Sequence, residues 1–261
     1  MFFKIGPKQT EVPVAALVPN FITTLSLCSG LASIHFALAE RWEASVSAIA
    51  LAMIFDALDG RAARLLRVSS KFGAVLDSLS DFVSFGVAPA ILLHEWLLAP
   101  AMSAFELAAV MVFALCSGLR LARFTANVQV SKPANTAASN YFSGMPTPAA
   151  AATVLIPAMY ELSNTSTWKI PQWAIVALSI SIGLLMVSTV PTFAFKKLTI
   201  NRRLVVPVMI LLGLMVVSLI THFWLTLAVL ATLNLCLTPF SWYMRRKARA
   251  EETLRIANPA A

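Results

Sequence analysis

The chain has 261 residues, of which 59% are hydrophobic and only 12% are charged, and its formal net charge is +8. A mean hydropathy of +0.79 excludes an ordinary soluble domain, since such domains carry about 25% charged residues. The composition predicts an integral membrane protein whose basic excess serves topology and anionic lipid headgroups rather than nucleic acid.

Apolar runs along the chain predict about eight transmembrane helices. A helix needs about 20 apolar residues to cross the hydrocarbon core, and the charge-free run at 204–244 is long enough for two crossings. We expect spans at approximately 17–38, 44–66, 72–94, 102–124, 146–163, 171–193, 203–221 and 224–244. The predicted fold class is therefore all-α, a polytopic membrane helical bundle forming a single domain. Residues 1–15 are expected to lie along the membrane interface.

The distribution of basic residues orients this bundle. Cytoplasmic loops carry excess Lys and Arg, and an even number of spans with the N-terminus inside places 18 of the 20 basic residues in the cytoplasm. Only Arg41 and Lys169 fall outside. We therefore expect both termini, including the basic tail at 245–261, to be cytoplasmic, with the protein integral to the cytoplasmic (inner) membrane.

All the aspartates of the chain lie within one stretch of 26 residues between two apolar runs. Placing carboxylates near hydrocarbon costs free energy, so a group of them in a membrane helix is expected to have a function. Residues three and four apart share a helix face, so the second and third helices are expected to present facing stripes joined by a short basic turn at the cytoplasmic surface. The pattern is D-x2-D-G-x2-A-R-x8-G-x3-D-x3-D, through Asp56, Asp59, Gly60, Ala63, Arg64, Gly73, Asp77 and Asp81.

The chemistry predicted from this cluster is divalent-metal binding at a membrane face. Neighbouring carboxylates repel one another unless a cation neutralises them, and oxygen ligands without nearby Cys or His favour magnesium, manganese or calcium over zinc. Two such metals can bridge a pyrophosphate. Gly60, Ala63 and Gly73 would leave room for a nucleotide between the helices, and Arg64 would add a fixed positive charge for phosphate.

Two other interpretations of the cluster remain open at this point. The acids could pair with Arg61, Arg64 or Arg67 as a charged link between helices. They could also mark a pathway for cations or protons, as intramembrane acids often do. A pathway predicts acids distributed along the membrane depth, whereas the chain has no other aspartate.

The motif resembles, at all eight positions, that of the CDP-alcohol phosphatidyltransferase family. The resemblance implies a homodimeric membrane enzyme that transfers a phosphatidyl group from CDP-diacylglycerol to an alcohol and releases CMP. By position, Asp56, Asp59, Asp77 and Asp81 would ligate two metal ions, Mg²⁺ or Mn²⁺ with Ca²⁺ as a substitute, and Asp81 would also be the general base. The nucleotide pocket would be lined by Asp59, Gly60, Ala63, Arg64 and Gly73, with Asn20 a further candidate there or in helix packing.

Other segments resemble the phosphatidylserine synthases of this family, namely Pro19-Asn20 with Thr23 and Thr24, residues 118–124, residues 142–149 and residues 188–196. The resemblance covers a core of roughly residues 16–200 and leaves 203–244 as two additional helices that match nothing. It implies L-serine as the acceptor. The same fold acting on glycerol 3-phosphate or an inositol phosphate stays open, although a phosphorylated acceptor would need a denser basic pocket.

Serine carries a hydroxyl group and a carboxylate, so its pocket needs a base near the metals and a cationic anchor. Arg120 and Arg123 lie one turn apart at the cytoplasmic end of the fourth helix, and Lys132 follows. Lys196 is a weaker candidate. The positive-inside pattern alone also accounts for these residues, but we expect at least one of the two arginines to contact the acceptor or the lipid phosphates.

Overall fold

The computed structural model describes residues 17–66, 68, 70–98, 104–130, 142–163, 170–188, 191–192 and 205–236. This part of the chain is helical apart from one antiparallel pairing of Phe142–Ser143 (β1) with Pro191–Thr192 (β2). The helices are α1 (Leu17–Leu38), α2 (Trp42–Leu66), α3 (Lys71–Leu98), α4 (Ala104–Val130), α5 (Thr147–Val154), α6 (Ile156–Leu162), α7 (Gln172–Val187), α8 (Val205–Thr221) and α9 (Phe223–Cys236).

Length and composition identify the membrane-crossing helices. Among the described residues, three helices are long and apolar enough to cross a membrane, at Leu17–Leu38, Lys71–Leu98 and Ala104–Ala126. Shorter apolar helices follow at Gln172–Val187, Val206–Thr221 and Phe223–Cys236. The described part of the chain is thus that of a helical membrane protein, in which both α2 and α3 combine an apolar stretch with motif carboxylates.

Small polar residues bring α1 close to its neighbours. The Ser26 hydroxyl donates to the carbonyl oxygen of Ala52 on α2 at 3.0 Å, and the Ser84 hydroxyl of α3 donates to the Ser26 carbonyl oxygen at 3.1 Å. Gly30 lies against Ser84 so closely that a Cβ there would come 2.8 Å from the Ser84 Cα. Close backbone approach through small residues is typical of helix pairs in membranes.

A second contact packs α4 against α7 over the apolar core. Gly183 on α7 lies against Phe113, whose side chain is fully buried. Phe85, Leu92 and Ile182 are also fully buried in this core. This packing fixes the C-terminal half of α4 relative to α3 and α7, which is the arrangement that the functional site needs.

Several helices differ in their bounds from the sequence-based spans, and two of them also contain an irregularity near a proline. The helix expected at 146–163 is broken at Leu155, because Pro157 lacks an amide hydrogen and its ring crowds the preceding turn. The helix expected at 72–94 continues to Leu98 and contains wide π-type turns at Phe82–Val87 and Leu93–Leu98. The first of these turns ends two residues before Pro89, and such widening re-arranges the hydrogen bonds that a proline interrupts.

Candidate active site

The motif aspartates meet where α2 ends and α3 begins. Only a short connection separates Leu66 from Lys71. The side chain of Ser70 caps α3 by accepting a hydrogen bond from the backbone N–H of Gly73 at 2.9 Å, which satisfies a donor that the first helical turn otherwise leaves free. The cap fixes the start of α3 and therefore the direction of the acidic side chains in its following turns.

All four predicted carboxylates converge. One carboxylate oxygen each from Asp56, Asp59 and Asp77 lie within 4.8 Å of one another. Asp81 lies one turn further along α3, and its carboxyl group lies beside that of Asp56. The facing stripes predicted from helical spacing are therefore present.

Helix α1 also contributes to the cluster through a residue that sequence reasoning gave no role. The hydroxyl oxygen of Thr23 lies 2.6 Å from Asp59 Oδ2 and 3.0 Å from the carbonyl oxygen of Pro19. Both Thr23 and Asp59 are buried, so this bond fixes the carboxylate orientation. The sequence feature that could have identified Thr23 is its position about one helical turn after Asn20, which places both residues on the same face of α1.

A cavity of about 200 Å³ lies beside the cluster, between α1, α2 and the start of α3. Its lining includes Asn20, Gly60, Ala63 and Gly73, together with Asp59. These five residues belong to the set predicted to surround a nucleotide. The structure therefore brings most of that set together around one opening.

The two motif glycines have different surroundings. A Cβ on Gly73 would lie 2.8 Å from Asn20 Oδ1 and 3.0 Å from Ser70 Oγ, whereas a Cβ on Gly60 would meet nothing within 4 Å. Gly73 thus allows α1 to approach α3, and Gly60 leaves the cavity open. Arg64 does not line the cavity; its exposed guanidinium donates through Nε to the Gly60 carbonyl oxygen at 2.8 Å.

No Lys or Arg in the described part of the chain forms a direct ion pair with a motif aspartate. Arg61 and Arg64 are exposed, and neither forms an ion pair with a motif aspartate; Arg67 lies outside the described residues. The charged-link interpretation therefore has no support from this geometry. Four converging carboxylates with no directly paired Lys or Arg fit a hard divalent cation.

The two arginines of α4 have separate environments. Arg120 Nη1 donates to Thr147 Oγ1 at 3.4 Å, and Thr147 Oγ1 donates to Asp81 Oδ2 at 3.0 Å. The buried Nε of Arg120 has no hydrogen-bond partner among the described residues. Arg123 instead donates from Nη1 to the Val187 carbonyl oxygen at 3.2 Å. The predicted contacts of Lys132 and Lys196 lie outside the described residues.

Known proteins resemble this chain over most of its length. Residues 16–187 match the family model described as CDP-alcohol phosphatidyltransferase. A CDP-diacylglycerol–serine O-phosphatidyltransferase of Mycobacterium leprae is 32% identical, covering 92% of this chain and 79% of the relative. One of Helicobacter pylori with the same name is 34% identical, covering 77% of this chain and 82% of the relative. The apo crystal structure of Mycobacterium tuberculosis phosphatidylinositol phosphate synthase is 21% identical and aligns with 72% of this chain and 100% of that one, with a TM-score of 0.46.

Proposed function

The chain belongs to the CDP-alcohol phosphatidyltransferase family, and we propose that it transfers a phosphatidyl group from CDP-diacylglycerol to the hydroxyl group of L-serine, giving phosphatidylserine and CMP. The relatives from Mycobacterium leprae and Helicobacter pylori carry the name of this activity. The observation that carries the proposal is the group of converging aspartates beside an open cavity, because it fits a pyrophosphate held through metal ions.

The motif aspartates would hold two divalent ions, Mg²⁺ or Mn²⁺, with Ca²⁺ as a substitute. Their all-oxygen donor set and mutual proximity support this fit. When bound, the metals would polarise the pyrophosphate and offset the negative charge that develops on the departing CMP. The four ligands are Asp56, Asp59, Asp77 and Asp81.

The nucleotide part of CDP-diacylglycerol would occupy the cavity between α1, α2 and α3. Asn20 and Asp59 offer it polar contacts, and the small size of Gly60, Ala63 and Gly73 leaves the necessary space. Arg64 is one turn from Gly60 and exposed, so its guanidinium can turn from its own helix towards a phosphate. These six residues form the proposed nucleotide site.

Asp81 would act as the general base. As the serine oxygen forms a bond to the phosphorus that carries diacylglycerol, its proton passes to the Asp81 carboxylate. The bond between that phosphorus and the oxygen of CMP breaks, and CMP leaves with the bonding electrons. Direct attack needs no covalent enzyme intermediate, and the position of Asp81 beside Asp56 and Asp77 would keep the base close to a phosphate held by metal ions at this cluster.

Arg120 would anchor the acceptor carboxylate. Its guanidinium is linked to Asp81 through one threonine, and its buried Nε still lacks a partner in the described part of the protein. A buried donor of this kind needs an acceptor. Arg123 is the weaker candidate because it already donates to Val187, while Lys132 and Lys196 remain candidates for lipid phosphate on their sequence positions.

We propose that the protein is a homodimer in the cytoplasmic (inner) membrane. Each protomer would cross the membrane eight times, and its active site would face the cytoplasm. The basic-residue pattern supports this orientation. Trp42 and Trp96 stack at 5.4 Å between ring centroids at the opposite ends of α2 and α3 from the motif, as expected of residues at the outer interface. The proposed divisions are an interfacial segment at 1–15, a core at 16–200, two further helices at 203–244 and a basic tail at 245–261.

An acceptor assay tests the proposed function. Purified protein with CDP-diacylglycerol should release CMP and form phosphatidylserine with L-serine, and should give far less product with glycerol 3-phosphate or an inositol phosphate. A preference for either phosphorylated acceptor would overturn serine as the substrate while retaining the reaction class. Cation flux through reconstituted vesicles without CMP release would instead support the transport interpretation.

A further inference from the structure

A hydrogen-bonded chain joins three helices at the base of the site. Arg120 on α4 donates to the hydroxyl oxygen of Thr147 on α5, and Thr147 donates to Asp81 on α3. Thr147 is 1% exposed, so water does not compete for its hydroxyl group. The contacts place one neutral side chain between the proposed base and the proposed acceptor anchor.

The donor and acceptor of each of these two hydrogen bonds follow from the chemistry of the three side chains. A guanidinium can only donate, and a hydroxyl group has one hydrogen to give. Thr147 therefore accepts from Arg120 and gives its hydrogen to Asp81 Oδ2. A donor held at one carboxylate oxygen restricts rotation of the group, so this bond fixes how Asp81 presents its remaining lone pairs.

The hydroxyl group of Thr147 donates to a side chain on another helix, as that of Thr23 does, whereas the hydroxyl groups of Thr153 and Thr232 bond within their own helices. Thr153 and Thr232 each donate to the carbonyl oxygen four residues earlier. Thr147 is the first residue of α5, and the residue before it, Pro146, offers no side-chain cap. Local helix capping therefore does not explain the direction of its hydroxyl group.

The backbone that carries Thr147 is restrained. Proline precedes and follows it, and each proline fixes its own φ and limits the residue before it. Gly144 has φ of +85°, and a Cβ there would lie 2.6 Å from the Met186 carbonyl oxygen, so only glycine permits this close approach to α7. The segment is thus held in one place before any substrate arrives.

We propose that Thr147 is a positioning residue for the transfer reaction, orienting the Asp81 carboxylate towards the acceptor hydroxyl and holding the Arg120 guanidinium at a fixed place beside it. The inference rests on the proposed function. It narrows the acceptor to a short molecule whose carboxylate and hydroxyl group lie close together, because both must reach groups joined by a single threonine. Loss of a side chain that orients an acidic group at a metal site typically costs about 10- to 100-fold in activity.

The test compares Thr147→Val, which keeps the shape and removes the hydroxyl, with Thr147→Ser, which keeps the hydroxyl. Thr153→Val is the matched control, because Thr153 is buried on the same helix and bonds only to its own backbone. The measurements are the rate of serine-dependent CMP release at a low and at a saturating Mn²⁺ concentration, the KM for CDP-diacylglycerol, and Mn²⁺ affinity by titration without substrate.

We expect Thr147→Val to lose about 10- to 100-fold in kcat with little change in the KM for CDP-diacylglycerol or in Mn²⁺ affinity, and Thr147→Ser and Thr153→Val to stay near wild type. Wild-type kcat in Thr147→Val would overturn the proposal, as would an equal loss in Thr147→Ser or turnover that returns when Mn²⁺ is raised. A wild-type protein without serine-dependent turnover would instead overturn the proposed function.

Discussion

Arg120 and Arg123 carry the same charge one helical turn apart, yet their guanidinium groups meet different partners. Arg120 is directed towards Asp81 through Thr147, whereas Arg123 bonds to the end of α7. Sequence spacing treats the two as equivalent, because both satisfy the positive-inside pattern. The difference depends on the packing of α4 against α5 and α7, which no local pattern encodes.

This difference predicts separate kinetic effects. Arg120→Ala should raise the KM for serine by about 10- to 100-fold, since hydrogen bonds to charged groups contribute about 1.5–3 kcal/mol, while the KM for CDP-diacylglycerol changes little. Arg123→Ala should raise the serine KM much less. Steady-state kinetics with each substrate varied in turn measures both effects. An unchanged serine KM in Arg120→Ala would show that Arg120 does not bind the acceptor and serves only the positive-inside pattern.

Gly60 gives a second prediction at the level of one residue. A methyl group at this position meets no protein atom within 4 Å, so Gly60→Ala should fold at least as stably as wild type, because alanine favours a helix. The methyl group would occupy the space proposed for the nucleotide. It should raise the KM for CDP-diacylglycerol by about 10-fold, because a change of that size corresponds to the free energy that overpacking by a methyl group costs.

The matched control for this variant is Gly213→Ala. Gly213 lies on α8, and a Cβ there also meets nothing within 4 Å. Thermal unfolding in detergent and the KM for CDP-diacylglycerol should be compared for both variants. Equal KM values for Gly60→Ala and Gly213→Ala would show that the space beside Gly60 does not receive the substrate.

At the scale of elements, helical spacing predicted the facing stripes of α2 and α3, because both lie close together in sequence. The span expected at 17–38 agrees with Leu17–Leu38. The break at Leu155 and the wide turn after Asp81 were not predicted, although Pro157 and Pro89 were visible. Periodicity describes a regular helix, and it does not reveal how neighbouring helices accommodate a missing amide hydrogen.

The contact between α1 and α3 predicts a stability effect. In Gly30→Ala the new Cβ would overlap the side chain of Ser84 and also approach its Cα, so the backbone must move. We expect a loss of about 1–3 kcal/mol in stability and a lower Tm than in Gly213→Ala, measured by thermal unfolding in detergent. A Tm equal to that of the control would contradict the packing of α1 on α3.

Across the whole molecule, the site combines residues that are distant in the chain. Thr147 and Asp81 are 66 positions apart, and Thr23 and Asp59 are 36 apart. The aspartate cluster was predictable because its members lie on adjacent helices, whereas these hydroxyl partners depend on which further helices pack against that pair. The convergence of the carboxylates and the small residues around the cavity thus followed from sequence, whereas the hydroxyl groups that orient the carboxylates required the three-dimensional arrangement.

The central claim is that the carboxylate cluster performs metal-dependent transfer to serine. Its most direct test is the amount of CMP and phosphatidylserine that the purified, metal-depleted protein forms from CDP-diacylglycerol and L-serine, before and after metal addition, with Asp81→Asn as the inactive control. The account predicts no transfer in chelator, and equal amounts of both products once Mg²⁺ or Mn²⁺ is restored. Full transfer in excess chelator, with metal removal confirmed, would contradict it.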